Sequence, residues 1–357
     1  MNKTSLKRSA TFSGHAGFSI LELLVATTIF IVVTGSIWGV LQVGQGSRAV
    51  VSQQTQTAKN IRISLNMMGR DTYNAGYGYP ITTSVILPNN SVSNLLGIPP
   101  DADNARDFLP PIIPGNNLRS NTYNTTSVYT DQITLLFKDS TFNVIAAPTP
   151  FPTPTPGPTP DTRVSRPLNI NAAVTNGGTG IDEIVPLSPA TNAVCSVNDL
   201  YLVSGGNGST LGVVTGLVGT DTIQFANGDP LGFNLTGSTG QLTRITTPAT
   251  IQRVTMVTYF VTTDGILTRR RYVNAAPVVP AVAYVDEPLV YDVENFQIRY
   301  VMDDGTLSDN PSTNLAAIRQ VRFTVSVRSR ELNSAGQPYR ETMTSTFSTR
   351  NLGYDAS

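Results

Sequence analysis

The chain has 357 residues, with 24 Lys plus Arg against 24 Asp plus Glu, and charged groups make up only 13% of it, a balance that exerts no general pull toward nucleic acid. Its single cysteine, Cys195, excludes an internal disulfide, so the fold must rest on core packing and strand pairing, and the residue itself reads as a small buried hydrophobe. Abundant Gly, Pro, Thr, Ser and Asn read as an extracytoplasmic, β-rich module with many turns, in one large or two small domains after an N-terminal anchor.

Residues 1–17 contain Lys3, Lys7, Arg8 and His15, no acidic residue and no long apolar core, so they read as a short cytoplasmic leader and not as a secretory signal peptide. From Phe18 to Leu41 one charge occurs in 24 residues. At about 1.5 Å per residue such a helix spans about 36 Å, enough to cross a hydrocarbon core of ~30 Å. The basic leader favours the cytoplasm, which sends the bulk of the chain to the far side. The lone acid, Glu22, costs roughly 2.5–3.5 kcal/mol on insertion, so it requires a partner, and the candidate is a new amino terminus made by cutting before Phe18. That cut removes His15, the only histidine, and leaves 21 cations against 24 acids. A Ser-His-Asp or Cys-His arrangement and histidine-based zinc ligation are then excluded.

The string Gly17-Phe18-Ser19-Ile20-Leu21-Glu22 on a basic leader resembles the prepilin amino terminus of the type IV pilin and pseudopilin superfamily. The resemblance implies cleavage by prepilin peptidase between Gly17 and Phe18, N-methylation of Phe18, and a role for Glu22 as the assembly charge partner of a Phe18 ammonium in its own or a neighbouring subunit.

Within the apolar span, Gly35 and Gly39 form a small-xxx-small pair that either permits close helix packing or is merely tolerated. Gly44 and Gly46 mark a place where the helix is expected to loosen locally. Beyond them Thr55, Ala58, Ile61, Leu65 and Met68 recur at spacings of three and four, which predicts an amphipathic continuation to about Asn74 whose apolar face cradles a sheet. Gly76, Gly78 and Pro80 supply the stop.

Asn89 to Thr126 shows little periodicity and reads as long loops, followed by a strand at Gln132 to Phe137. Proline then occupies every second position from Pro148 to Pro160, interleaved mainly with Thr. This favours a polyproline II rod of about 40 Å at ~3.1 Å per residue: either a projecting stalk, with Thr149, Thr153, Thr155 and Thr159 as O-glycosylation candidates, or an insertion at a loop tip. The C-terminal half carries strands at Asp199 to Val203, Gly212 to Leu217, Val254 to Thr262, Ile266 to Val273, Leu289 to Met302, Ile318 to Val327 and Glu341 to Thr349. Phe296, Ile298, Tyr300 and Met302, and again Val321, Phe323, Val325 and Val327, alternate as half-buried antiparallel strands do. Asp264-Gly265 predicts a tight hairpin.

Arg70-Asp71 with Ala75-Gly76-Tyr77, the hairpin Val257 to Arg270, the strand Val293 to Tyr300 and the ending Ser348 to Leu352 are similar to PilW-type minor pilins, and more loosely to the J-type minor pseudopilin of type II secretion. Three polar clusters carry no recognisable motif. Asp303, Asp304 and Asp309 with Gly305 do not match an EF-hand loop, nor do Asp101, Asp103, Asn104 and Asp107, and both read as solvated turns. Of Arg269, Arg270 and Arg271, the middle one points away from the others on a strand, so the cluster reads as a solvated edge or a salt-bridged face, not a DNA contact.

The fold class expected is α+β, a long N-terminal helix packed on an antiparallel β-rich head. The segments are a leader at 1–17, a transmembrane helix at 18–43, an amphipathic helix at 44–76, a loop-rich part at 77–147, a linker or insertion at 148–160 and the main head at 161–357. The functional expectation is a minor pilin, not an enzyme, needing no cofactor or metal, anchored in the inner membrane with its head in the periplasm and then carried into a pilus at the cell surface. Its expected partners are prepilin peptidase, other major and minor pilins and the inner-membrane assembly platform, without nucleic acid. A type II secretion pseudopilin, or a pilus-tip subunit for adhesion or DNA uptake, is the alternative.

Overall fold

The computed structural model describes residues 19–80, 85–100, 106–123, 129–142, 144–146, 163–165, 167–170, 175–176, 182–188, 194–235, 242, 245–272, 284–311, 315–332 and 336–352. The chain divides into two compact units, Met1–Gln56 and Thr57–Ser357. It is an α+β protein. Helix α1 (Ile20–Asn74) is followed by β1 (Val85–Leu87), α2 (Ser91–Leu96), β2 (Asp107–Leu109), β3 (Ile112–Arg119), β4 (Thr130–Lys138), β5 (Val144–Ala146) and β6 (Arg163–Ser165). Next come β7 (Leu168–Ile170), β8 (Thr175–Asn176), β9 (Asp182–Ser188), β10 (Leu200–Gly205), β11 (Gly208–Val213), β12 (Gly216–Val218) and β13 (Thr222–Ala226). The chain finishes with β14 (Ala249–Val261), β15 (Leu267–Tyr272), β16 (Tyr284–Val290), β17 (Val293–Met302), β18 (Leu307–Ser308), β19 (Ile318–Leu332) and β20 (Pro338–Ser348).

A 14-stranded sheet is built on β14, whose first half pairs with β7 and β10 and whose second half pairs with β4 and β15. A 4-stranded sheet runs β18-β17-β19-β20, and among the described strands only β1 with β11 is parallel. The alternation expected from the sequence sets its register: Phe296, Ile298 and Tyr300 face inward opposite Val325, Phe323 and Val321, while Arg299 faces Arg322 on the outside. The Phe296 and Phe323 rings stack at 6.2 Å. One expected strand, Leu289 to Met302, is instead two. A turn at Tyr291-Asp292, with Asp292 at φ 58, moves the chain from the large sheet into the small one. Asp292 is held there by Arg330 Nε at 2.9 Å and by the Tyr123 hydroxyl at 2.7 Å.

The span expected to be long loops, Asn89 to Thr126, holds α2, β2 and β3. Its acid Asp107 is buried and accepts from the backbone N–H groups of Asn90 and Val92 at the start of α2, so it closes a short helix and is not a solvated turn residue. β1 and β4 share one sheet with β10, β11 and β14, so segments on both sides of residues 148–160 build the same core. That proline tract lies outside the described residues, as do His15, Asp101, Asp103 and Asn104.

The C-terminal part of α1 is buried where the sequence places its stripe. Ile61, Leu65 and Met68 join Ile133, Leu135, Val257, Tyr259 and Phe323 in one core, whereas Thr55 is exposed and Ala58 half-buried. Gly69 makes the closest approach, because a Cβ there meets the ring of Phe347 on β20. Gly69→Ala is expected to lower head stability by about 1–3 kcal/mol through overpacking. In a Phe347→Ala background the same change should cost clearly less, and a denaturation cycle giving strictly additive losses would rule out the contact.

Gly76, at φ 80, ends the helix: its N–H reaches Leu136 O at 2.9 Å, and Lys138 N reaches Tyr77 O at 2.8 Å, docking the exit on the edge of β4. Asp131 on β4 ties the two sheets, accepting from Asn117 N at 2.8 Å and from Ile298 N at 2.7 Å. Burial pushes its carboxyl up to about 6, against the pull of the two N–H groups. With an unfolded value near ~3.9, this group's contribution is full below about pH 4 and is lost as pH rises through 6. Unfolding scans should therefore show wild type losing about 2–3 kcal/mol more than Asp131→Asn between pH 4 and pH 7. Parallel pH profiles for the two proteins would contradict this.

Candidate assembly segment and its anchorage

Ile20 to Gln42 is a 23-residue helical span of mean hydropathy 2.2, a length and composition suited to a membrane anchor or a signal sequence. Its large side chains are exposed around the helix: Ile20 is 84% exposed, Phe30 70%, Trp38 65% and Val40 73%. The hydroxyls in the span do not interrupt this apolar surface. Thr27 and Thr28 donate to Leu23 O and Leu24 O, and Ser36 donates to Val32 O, so each is satisfied inside its own helix. Gly35 and Gly39 lie one turn apart, and a methyl group added at either would meet nothing within 4 Å. The helix runs without interruption through Gly44 and Gly46.

At the first turn, Glu22 Oε2 accepts from Ser19 N at 3.2 Å while Ser19 Oγ accepts from Leu21 N at 3.3 Å. This is a variant of the capping box, in which Glu22 reaches back to the N–H of the cap Ser19 while the Ser19 side chain holds the N–H of Leu21, one residue before Glu22. Sequence reasoning that treats Glu22 as a charge alone misses the role of Ser19, although the Ser-x-x-Glu spacing signals it. Gly17 and Phe18 lie outside the described residues. The amide that Glu22 engages is the one joining Phe18 to Ser19.

Within the head, Asp71 anchors the last turns of α1. Its Oδ2 accepts from the Tyr259 hydroxyl at 2.7 Å and from Arg269 Nε at 2.9 Å, and Arg269 Nη1 donates to Glu287 at 2.8 Å. Burial and the Asp71 charge both raise the Tyr259 pKa. Burial opposes the charge on Arg269, but Asp71 and its other partners outweigh it and hold the guanidinium pKa above its ordinary value. Beside this knot Arg350 Nη1 donates to the Tyr73 hydroxyl at 2.6 Å, Asn351 Nδ2 donates to Tyr73 O at 3.1 Å, and Leu352 is buried in the core. Segments distant in sequence therefore meet at the end of α1, above a core that holds Ala75, Val257, Phe296 and Leu352.

The remaining candidates fall into structural places. Arg270 makes a two-point bond to Asp286 on the face opposite Arg269 and lies 3.5 Å over the Tyr284 ring, so Arg269 and Arg270 are salt-bridged on an interior strand, β15, and not on an edge. Asp304 closes its own turn onto Thr306, Asp309 pairs with Arg299 at 2.9 Å, and among the described residues no group of three His, Cys, Asp or Glu is placed to hold a metal. Cys195 is buried, which pushes its thiol pKa up. No protein-family model and no curated protein matches the chain.

Proposed function

We propose that the chain is a minor pilin, a non-enzymatic structural subunit cut between Gly17 and Phe18, held in the inner membrane with its head in the periplasm, and drawn into a type IV pilus as part of its priming or tip complex. The observation that carries this reading is the position of Glu22. Its carboxylate sits at the start of the apolar helical span and already engages the backbone one residue from Phe18. An ammonium created on Phe18 would be one residue along the chain from that amide, and this reading assigns the same carboxylate to it or to a neighbouring subunit's terminus. The exposed span then packs with like helices, while the β-rich head presents the outer surface. The partners in this reading are prepilin peptidase, other pilins and the assembly platform.

Mass spectrometry of the protein recovered from a sheared pilus fraction tests this directly. N-methyl-Phe18 as the first residue is expected, and an intact Met1 in assembled material would overturn the reading. Deletion separates the neighbouring alternative, since loss of exoprotein secretion with normal pili would assign the chain to a secretion system.

A further inference from the structure

Beyond the end of α1, the face of the large sheet that the helix covers continues as an open groove of about 670 Å³. The register explains its chemistry. Along β14 the side chains on this face run Tyr259, Val257, Thr255, Arg253, and opposite them on β15 stand Arg269 and Arg271, so an apolar surface becomes a polar one where the helix stops. Four arginines line it, Arg70, Arg253, Arg269 and Arg271, against three acids. The acids are already used: Asp71 and Glu287 hold Arg269, and Asp139 holds Arg253 at 2.8 Å.

Two cations remain available. Arg70 has a side chain 66% exposed and only a long contact to Asp71 at 3.5 Å. Arg271 pairs with no carboxylate among the described residues, and its Nε is buried without a hydrogen-bond partner. The Arg271 side chain lines the groove, and that lining, not the inaccessible Nε, is where an acceptor from outside would meet it. Neutral hydrogen-bonding residues also line the groove, namely Asn74, Ser140, Thr141 and Thr255, with Phe137 as the apolar element.

We infer that this groove binds an acidic saccharide, with the carboxylate of a uronic-acid unit between Arg70 and Arg271 and its hydroxyls on the neutral groups. A guanidinium suits a carboxylate by geometry, and the neutral groups suit adjacent sugar hydroxyls. The interleaved acids leave a surplus of one positive charge, which matches carboxylates spaced one per sugar unit and disfavours the dense phosphates of nucleic acid. The volume accommodates a short oligosaccharide. This inference stands independently of the filament reading.

The test is calorimetric titration of the full chain, held in a polyoxyethylene detergent that carries no sugar, with D-glucuronate, D-glucose, acetate and inorganic phosphate at matched ionic strength. Saturable binding of glucuronate is expected, about ten-fold tighter than that of the other three. Arg70→Gln and Arg271→Gln should each weaken it about ten-fold, and Arg322→Gln on the opposite sheet should leave it unchanged. Because Arg70 is exposed, its variant keeps the test valid if Arg271→Gln fails to fold. Glucuronate binding no better than glucose, acetate or phosphate, or equal binding by wild type and Arg70→Gln, overturns the inference.

Discussion

Asp71→Ala is expected to lower the unfolding free energy of the head by about 3–5 kcal/mol. The size follows from what the carboxylate leaves behind. Arg269 is 8% exposed, and without Asp71 its guanidinium keeps one carboxylate, Glu287, and a 3.2 Å bond from Nε to the Tyr259 hydroxyl. Tyr259, fully buried, loses the acceptor for its hydroxyl. The penalty is that of an uncompensated buried charge together with an orphaned donor, which exceeds the net worth of the original pair. Asp71→Ala combined with Arg269→Met should therefore recover much of the loss, since replacing both partners of a buried pair is often near neutral. Denaturant unfolding of the full chain in detergent, followed by circular dichroism of the β-sheet signal, measures both. A single variant within about 0.5 kcal/mol of wild type, a change typical of an unconnected surface site, would show that the knot does not hold the helix.

The second large effect concerns assembly and rests on the proposed filament role. Glu22 has two contributions to separate, closing the first turn onto Ser19 N and answering an ammonium with its charge. Glutamine separates them, because its amide oxygen reaches back to the cap as a glutamate does but carries no charge. If charge pairing drives assembly, Glu22→Gln should reduce the fraction recovered in sheared filaments about ten-fold or more, as far as Glu22→Ala does. A tenfold change corresponds to about 1.4 kcal/mol, well below the 3–5 kcal/mol expected for breaking a buried ion pair. Quantitative immunoblotting of the sheared and membrane fractions reads the outcome. Wild-type incorporation of Glu22→Gln, with Glu22→Ala defective, would assign the residue to helix closure alone.

These two residues also show where sequence reading succeeds and where it stops. The apolar span, the stripe at Ile61, Leu65 and Met68, the stop at Gly76 and the alternation through Val321 to Val327 all arise within a few residues of one another. A periodic pattern that must bury one face is legible locally, and the structure keeps each of these features. The capping box at Ser19 to Glu22 is equally local. By contrast Asp71 meets Arg269 across 198 positions of sequence, and nothing near either residue announces the other.

The segment from Asn89 to Thr126 departs from expectation for a related reason. β2 has three residues and β3 carries Pro114, Gly115 and two asparagines, so neither has intrinsic strand character, and each is a strand only because β1 or β4 lies alongside. The single long strand expected from Leu289 to Met302 errs in the opposite direction. Its residues favour extension throughout, but Arg330 and Tyr123, both distant in sequence, hold Asp292 in the left-handed conformation that turns the chain into the second sheet.

By itself, then, the sequence determined the apolar anchor, the amphipathic continuation, the α+β class and most strands of the C-terminal half, because burial of one face imposes a short period on the residues that form it. Only the tertiary structure decided which arginines meet a carboxylate, how β1 to β4 enter the main sheet, and that an arginine-lined groove opens where α1 ends. Those outcomes depend on which side chains meet from remote strands, and pairing across a sheet leaves no periodic trace in either partner alone.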